Sequence, residues 1–268
     1  MTRVLSGAVL VVVAVGMVWL APPMLFQVAA FGILFLCVTE LVGLARAGGL
    51  NVPMWLTASG SFVTLAAFGL ERSAAGRSPT PLVMVLMVQV VAVSAAAMVE
   101  WTAGNRHVLA DVAASLFPSL YLALPIGALV AIRRTEGPPA LFLLMLTVIV
   151  SDTAQYYTGR LIGRTPLARS ISPKKTLEGA IGGFVFGTVV FTLVGAWWLT
   201  RMPMAVRALV GLTLVASGIA GDLFESLLKR SANVKDSSSI IPGHGGMLDR
   251  LDALLFAAPV YYVVLSAL

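Results

Sequence analysis

Residues 179–199 run GAIGGFVFGTVVFTLVGAWWL and contain no charged side chain. The hydrocarbon core of a bilayer is about 30 Å thick, and an α-helix needs roughly 20 mainly apolar residues to cross it. The stretch therefore predicts a transmembrane helix. The fold then depends on how often the chain repeats this pattern.

The pattern occurs about nine times along the 268 residues. Hydrophobic residues make up 59% of the chain and charged residues only 11%, whereas soluble domains carry about 25% charged residues. The predicted spans lie near residues 4–22, 24–44, 54–70, 81–99, 108–132, 139–160, 177–199, 204–228 and 250–268. The sequence thus predicts an all-α, polytopic integral membrane protein that forms a single membrane domain.

The basic residues orient these helices, because cytoplasmic loops of membrane proteins are enriched in lysine and arginine. If the N-terminus is cytoplasmic, twelve of the eighteen basic residues face the cytoplasm, so we expect that orientation. Nine of the twelve follow the sixth or the eighth span: Arg160, Arg164, Arg169, Lys174, Lys175, Lys229, Arg230, Lys235 and Arg250. The net charge of +6 suits either anionic lipid or a phosphorylated substrate.

Charged groups inside membrane helices are costly and normally face a cavity or a partner. Asp152, Asp222 and Glu225 fall within predicted spans, so each is a candidate site residue. Glu40 stands alone near a cytoplasmic helix end. For Glu40 we expect snorkelling toward water or a structural ion pair.

Two spans carry a polar stripe on one helical face. In the eighth span, Asp222, Glu225, Ser226 and Lys229 stand at i, i+3, i+4 and i+7, which share a face. The stripe predicts a functional surface, and an internal ladder such as Glu225 with Lys229 is the alternative. The sixth span repeats the pattern with Asp152, Gln155, Tyr156, Gly159 and Arg160.

The loop after the eighth span is rich in glycine. Gly243, Gly245 and Gly246 surround His244, and glycines let the backbone approach a ligand and turn N–H groups toward an anion. Asp249 and Asp252 follow, one helical turn apart. They suit a hard divalent cation such as Mg²⁺, and capping of the ninth helix is the alternative.

A third cluster opens the seventh span. Ser172 followed by Pro173 predicts a helix start, with Ser172 as the cap and Pro173 as the first helical residue. The helix N-terminus with Lys174 and Lys175 makes a phosphate site, unless these lysines serve orientation alone. The glycines that recur every four residues over 179–187 predict close helix packing.

The predicted topology places all three clusters at the cytoplasmic ends of the sixth to ninth spans, where they can form one site. Lysines, arginines, backbone amides and carboxylates at that level favour a polyphosphate with Mg²⁺ and a lipid headgroup. The sequence contains no Walker A pattern, no Gly-x-Gly-x-x-Gly and no His/Cys zinc set.

The segment 226–252 resembles the signature of the phosphatidate cytidylyltransferases, also called CDP-diacylglycerol synthases. The matching residues are Ser226, Lys229, Arg230, Lys235, Asp236, Pro242, His244, Gly245, Gly246, Asp249, Arg250 and Asp252. Residues 172–179 and 151–154 are also similar to the family, so the resemblance covers roughly the C-terminal half. Gln155 departs from it, because a small residue is expected there.

The resemblance implies transfer of a cytidylyl group from CTP to phosphatidic acid, giving CDP-diacylglycerol and pyrophosphate. It implies a catalytic set of Asp222, Lys229, Arg230, Lys235, Asp236, His244, Asp249, Arg250 and Asp252. Substrate contacts are expected from Asp152, Ser172, Lys174, Lys175, Thr176, Glu178, Ser226, Gly243, Gly245 and Gly246. Asp222, Asp249 and Asp252 are expected to hold Mg²⁺, with room for a second metal ion.

The expected partners are CTP, phosphatidic acid and membrane lipids, without nucleic acid, and the resemblance implies a homodimer. We expect a bacterial inner membrane protein with its site at the cytoplasmic face. Residues 1–138 would form a scaffold offering a lipid groove and dimer contacts, and residues 139–268 the catalytic helices.

Two alternatives stay open at this point. A CTP-dependent lipid kinase, or a cytidylyltransferase for another lipid phosphate, would use similar helices and acids. A membrane transporter would also explain intramembrane charges. Against a transporter, the sequence has no evident inverted repeat and its charges collect at one membrane face instead of the midplane.

Overall fold

The structure is a computed structural model that describes residues 2–70, 81–100, 107–238, 240 and 245–267. Ten α-helices lie within these ranges: α1 Thr2–Leu20, α2 Pro23–Ala47, α3 Met54–Leu70, α4 Pro81–Glu100, α5 Val108–Pro118, α6 Leu124–Thr135, α7 Pro138–Ile162, α8 Leu177–Trp198, α9 Met204–Ser231 and α10 Leu248–Ser266. A π-helical segment, Ser119–Ala123, joins α5 to α6. Two short strands, β1 Pro166–Ala168 and β2 Ser172–Thr176, separate α7 from α8.

Among the described residues, six helical stretches are long and apolar enough to cross a membrane: Pro23–Ala47, Pro81–Val99, Val108–Thr135, Pro138–Ile162, Leu177–Trp198 and Met204–Ser231. The apolar stretches Val11–Leu20 and Met54–Phe68 are shorter. The predicted class, an all-α membrane protein, is confirmed. The count of nine spans and the cytoplasmic N-terminus stay predictions.

The fifth predicted span contains an irregular turn where α5 meets α6. Pro125 has no N–H to donate, and the Leu124 N–H reaches the Ser119 carbonyl five residues back, which widens the turn into a π-helix. The Ser119 hydroxyl accepts a 2.7 Å hydrogen bond from Gln89 Nε2 of α4 and lies 3.2 Å from the Ser61 hydroxyl of α3. Polar side chains from two neighbouring helices therefore anchor the segment.

The connection between α7 and α8 is an antiparallel β-hairpin, which the sequence analysis did not predict. Pro166 pairs with Thr176 and Ala168 pairs with Ser172, with an irregularity between the two positions. The hairpin follows the C-terminal end of α7, and Asp152 lies within the last three turns of that helix. It therefore places a basic segment beside the polar stripe of α7.

The predicted helix start at Ser172 and Pro173 is wrong, because both residues lie in β2. Helix α8 begins at Leu177, and its cap is Thr176, whose hydroxyl accepts a 3.1 Å hydrogen bond from Gly179 N. Proline is tolerated in β2 because both strands of a two-stranded sheet are edge strands. Thr176, which directly precedes the first residue of α8, therefore caps the helix instead of Ser172.

The predicted role of the glycine repeat in close helix packing is confirmed. A Cβ on Gly179 would lie 2.8 Å from the carbonyl oxygen of Gln155 in α7, and one on Gly183 would lie 2.5 Å from Gln155 Cγ. A Cβ on Gly187 would lie 2.6 Å from Val215 Cγ2 in α9. Helix α8 thus approaches α7 and α9 more closely than any larger residue would allow.

Two large apolar cores run through the described bundle, beside a smaller cluster of Ala180, Val215 and Ile219. One joins α6 through α10 and includes Phe191 packed edge-on against Tyr261 at 5.6 Å. The other is centred on α2, α3 and the π-helical segment, and it includes Leu248 and Leu255 of α10. Helix α10 therefore packs into both cores, and its N-terminal turn lies beside α2.

Candidate functional site

Four elements bring charged side chains together at one end of the bundle. Lys175 Nζ, from β2, forms an ion pair with the Asp222 carboxylate of α9. Asp152 of α7 and Asp252 of α10 both interact electrostatically with Asp222 and with Lys175. We call these four residues the Lys175 cluster. The predicted convergence of the polar stripes with the basic loop is thus observed for these side chains.

The Lys175 cluster has an excess of negative charge, because three carboxylates face one ammonium group. The side chains of Lys175 and Asp222 are 22% and 29% exposed, whereas Lys175 Nζ itself is buried against Asp222. Gln155 Nε2 donates a 3.0 Å hydrogen bond to Asp152 Oδ1. Gln155, the departure from the family pattern, therefore packs against Gly183 and orients Asp152.

A second charged group, the Lys229 cluster, consists of Glu225, Lys229 and Asp249. Lys229 Nζ lies 2.5 Å from Glu225 Oε2 and 2.5 Å from Asp249 Oδ1. Glu225 is fully buried. The Glu225–Lys229 ladder, the alternative reading of the α9 stripe, is therefore present, and Asp249 of α10 extends it to a second helix.

Asp249 also binds the loop that precedes its own helix. Its Oδ2 accepts hydrogen bonds from the Ser237 hydroxyl at 2.7 Å, from Ser237 N at 3.1 Å and from Gly246 N at 2.8 Å. Together with Lys229, these donors engage both carboxylate oxygens. Asp249 thus connects the α9–α10 loop to the buried face of α9.

The expectation that Glu40 snorkels toward water is wrong, and among the residues that the structure describes it forms hydrogen bonds and no ion pair. Glu40 is only 4% exposed, and its described partners are the hydroxyls of Ser237 and Ser238 and the amides of Met247 and Leu248. The first amides of a helix lack partners within it and attract a negative group. The Glu40 carboxylate of α2 therefore accepts hydrogen bonds from the N-terminal amides of α10. No local pattern in the sequence predicts this contact.

The two glycines that follow His244 are required by the local backbone conformation and by close packing. Gly245 has a φ of 78°, in the left-handed region that favours glycine. A Cβ on Gly246 would lie 2.1 Å from the Ser237 hydroxyl and 2.6 Å from both Glu40 oxygens. Gly246 therefore allows the loop to pack against Glu40, whereas the predicted sites at Gly243 and His244 lie outside the described residues.

Three predicted site residues have roles within the hairpin region. Thr176 caps α8, as described above. Glu178 accepts hydrogen bonds from the backbone amides of Arg164 and Thr165 at 3.1–3.2 Å, which holds the start of the hairpin. Arg230 is exposed, and its Nε lies 3.4 Å from the Ile171 carbonyl, so the end of α9 contacts the hairpin turn.

The other predicted site residues within the described ranges differ in their exposure to solvent. Lys174, Lys235, Asp236 and Arg250 are exposed, and Ser172 and Ser226 are half-buried. Within the described part of the chain, no three His, Cys, Asp or Glu side chains form a ready-made metal site. The assignment of Asp222, Asp249 and Asp252 to a metal stays a prediction.

A family model described as the cytidylyltransferase family matches residues 1–268. The chain belongs to the cytidylyltransferase family. The match includes the N-terminal half, for which the sequence analysis found no resemblance beyond hydrophobicity. The single match covers α1 to α6 as well as the elements that carry the two clusters.

Several curated relatives of this family member are named phosphatidate cytidylyltransferase. The protein of Thermotoga maritima is 40% identical over 168 residues, which is 60% of this chain and 62% of the relative. That of Helicobacter pylori strain J99 is 39% identical over 151 residues, 56% of each chain. That of Synechocystis is 47% identical over 120 residues, 44% of this chain and 40% of the relative. The chain thus matches about half the length of these relatives.

Proposed function

We propose that this cytidylyltransferase family member transfers the cytidylyl group of CTP to phosphatidic acid, giving CDP-diacylglycerol and pyrophosphate. The observation that carries the proposal is the Lys175 cluster, in which three carboxylates and an ammonium group meet at the end of apolar helices. That location suits a reaction between a water-soluble nucleotide and a lipid. The names of the curated relatives support CTP and phosphatidic acid as the substrates.

The reaction requires two polyanions to be held in line. An oxygen of the phosphatidic acid phosphate attacks the α-phosphorus of CTP, and the bond to the oxygen that bridges to the β-phosphate breaks. Pyrophosphate then leaves with the electron pair of that bond. A phosphomonoester has a second pKa of about 6 and is largely dianionic at neutral pH, so the attacking oxygen needs no general base. Positioning and charge neutralisation are the main tasks of the protein.

The basic side chains around the clusters supply the positive charge for this task. Lys175 Nζ is buried against Asp222, so it would reach a phosphate oxygen by exchanging that contact. The exposed side chains of Lys174, Arg230 and Lys235 extend the basic surface on the same side. Lys229 is held between Glu225 and Asp249, and it positions these acids as well as contributing charge.

The acids of the Lys175 cluster fit a bound Mg²⁺, because carboxylate oxygens are the ligands this ion prefers and the cluster carries excess negative charge. Asp222 and Asp252 would hold the ion, with Asp152 beside them. When bound, Mg²⁺ would neutralise charge on the departing pyrophosphate. Asp249 would join as a ligand only by exchanging contacts it now makes with Lys229 or Ser237, so its metal role is the least direct. A second metal ion remains part of the prediction.

The cellular arrangement belongs to the same proposal. The apolar helices and the bacterial relatives support an integral protein of a bacterial inner membrane. The distribution of basic residues supports a cytoplasmic N-terminus and a site at the cytoplasmic face. A homodimer is proposed from the family resemblance.

The experiment that tests the function follows the phosphorus atoms of CTP. Purified protein in mixed micelles with phosphatidic acid, diacylglycerol and Mg²⁺ receives CTP labelled at the α- or the γ-phosphate. The proposal predicts α-label in the lipid product and γ-label in pyrophosphate. Transfer of γ-label to lipid would indicate the lipid kinase alternative, and absence of label from the lipid in both reactions would refute the proposal.

A further inference from the structure

We propose that Glu40, on a helix of the N-terminal half, is a positioning residue for the site in the C-terminal half. It holds the start of α10 and the described serines of the α9–α10 loop, so that Asp249 is presented to Lys229. The inference rests on the proposed function, because cytidylyl transfer is the activity that this positioning would serve.

Each oxygen of Glu40 contacts one serine hydroxyl and one backbone amide. Oε1 accepts from the Ser238 hydroxyl at 2.7 Å and from Met247 N at 2.9 Å. Oε2 accepts from Leu248 N at 2.7 Å and lies 3.1 Å from the Ser237 hydroxyl, which shares its single proton with the closer Asp249 Oδ2. Each oxygen thus joins one serine of the loop to one amide of α10. Only a carboxylate accepts at both positions, since the amide of glutamine would turn an NH₂ group toward two donors.

Two residues transmit the position of Glu40 to Asp249. The Ser237 hydroxyl lies between the carboxylates, 3.1 Å from Glu40 Oε2 and 2.7 Å from Asp249 Oδ2. Gly246 donates its N–H to Asp249 Oδ2, and a Cβ at this residue would collide with both Glu40 oxygens. Asp249 in turn binds Lys229. A continuous set of contacts therefore runs from α2 to α9.

The burial of Glu40 favours a fixed position over a surface contact. The residue is 4% exposed, and a buried carboxylate is tolerated only where hydrogen bonds replace water. Helix capping alone would need just the amides of Met247 and Leu248. The contacts with Ser237 and Ser238 also fix the α9–α10 loop relative to α2. This second role distinguishes a positioning residue from a helix cap.

The test compares Glu40→Gln and Ser238→Ala with Thr39→Ala as a matched control. Thr39 is the neighbour of Glu40 on α2, and its hydroxyl donates to the Leu36 carbonyl within the same helix. The measurements are kcat and KM for CTP with phosphatidic acid, the thermal unfolding midpoint, and hydrogen exchange at the amides of Met247 and Leu248. Exchange in α8 serves as an internal reference.

We expect Glu40→Gln to lower kcat at least about tenfold, because a small displacement of catalytic groups is enough for such a loss. Exchange at Met247 and Leu248 should become faster while exchange in α8 does not change. Ser238→Ala should show a smaller loss of kcat with faster exchange at Met247, and Thr39→Ala should stay within about twofold of the original protein. A lower unfolding midpoint with unchanged kcat would mean a structural role and overturn the proposal.

Two further outcomes are decisive. If Glu40→Gln does not fold, Ser238→Ala becomes the test of the proposal. An unchanged kcat and unchanged exchange at Met247 in Ser238→Ala would then overturn it. If the unaltered protein forms no CDP-diacylglycerol, the proposed function fails by itself. The exchange measurement then still reports whether Glu40 holds the start of α10, so the two failures are distinguishable.

Discussion

Lys175 of the β-hairpin forms an ion pair with Asp222 of α9, and this contact connects the hairpin to the helix that precedes the second basic loop. Arg230 strengthens the connection through the Ile171 carbonyl of the hairpin turn. The hairpin is therefore tied to α9 at two points, Asp222 and Arg230.

Replacement of Lys175 by methionine tests the importance of this ammonium group. The change leaves Asp152, Asp222 and Asp252 without their common positive partner and removes a phosphate-binding group. We expect kcat/KM for CTP to fall about 100-fold, the scale of losing one preorganised electrostatic contact in an active site. Steady-state kinetics with phosphatidic acid at saturation provide the measurement.

The matched control is Arg201→Ala, since Arg201 is exposed in the turn between α8 and α9 at the opposite end of these helices. It should retain its activity to within about twofold, because screened charges at that distance contribute little. Equal activity of the Lys175 and Arg201 variants would contradict the role of the cluster.

Replacement of Lys229 by methionine tests stability. Glu225 and Asp249 would lose their shared partner, and Glu225 is fully buried. Removing one member of a buried ion pair costs about 3–5 kcal/mol, because the remaining charge has no compensation. Thermal unfolding in detergent should therefore show a clear decrease of the midpoint. Adding Glu225→Gln should restore part of the loss, and a double variant no more stable than the single one would argue against the coupling.

Replacement of Gly179 by alanine tests the packing of α8 against α7. The new Cβ would lie 2.8 Å from the Gln155 carbonyl, a backbone atom that cannot rotate away. We expect a loss of roughly 1–3 kcal/mol, as for other overpacked contacts. Gly43→Ala is the control, since a Cβ at Gly43 meets nothing within 4 Å. Comparable unfolding midpoints for the two variants would show that α7 and α8 adjust freely.

The sequence predicted the helices well, because each predicted span needs only a local run of apolar residues. All nine predicted stretches coincide with helical segments in the described part of the chain. The hairpin could not be predicted in this way. Its strands are short and polar, and the Ser172–Pro173 pair imitates a helix start while Thr176 provides the actual cap.

The candidate site was predicted in part. Helical periodicity predicts that Asp222, Glu225 and Lys229 share one face of a helix. The same spacing predicts the Glu225–Lys229 ion pair, which the sequence analysis gave as the alternative. The contacts of Glu40 with Met247 and Leu248 join residues more than 200 positions apart along the chain. Such a contact depends on how α2 packs against α10, and no local pattern encodes it.

The most direct test of the account is the turnover of CTP and phosphatidic acid with Mg²⁺ by the unaltered protein and by Asp222→Asn and Asp249→Asn. Glu136→Gln is the control for loss of a carboxylate, since Glu136 is exposed in the α6–α7 turn, about 20 Å along α7 from Asp152. The account predicts CDP-diacylglycerol and pyrophosphate from the unaltered and Glu136→Gln proteins, and turnover reduced at least about 100-fold in both aspartate variants. Retained turnover in both aspartate variants would contradict it.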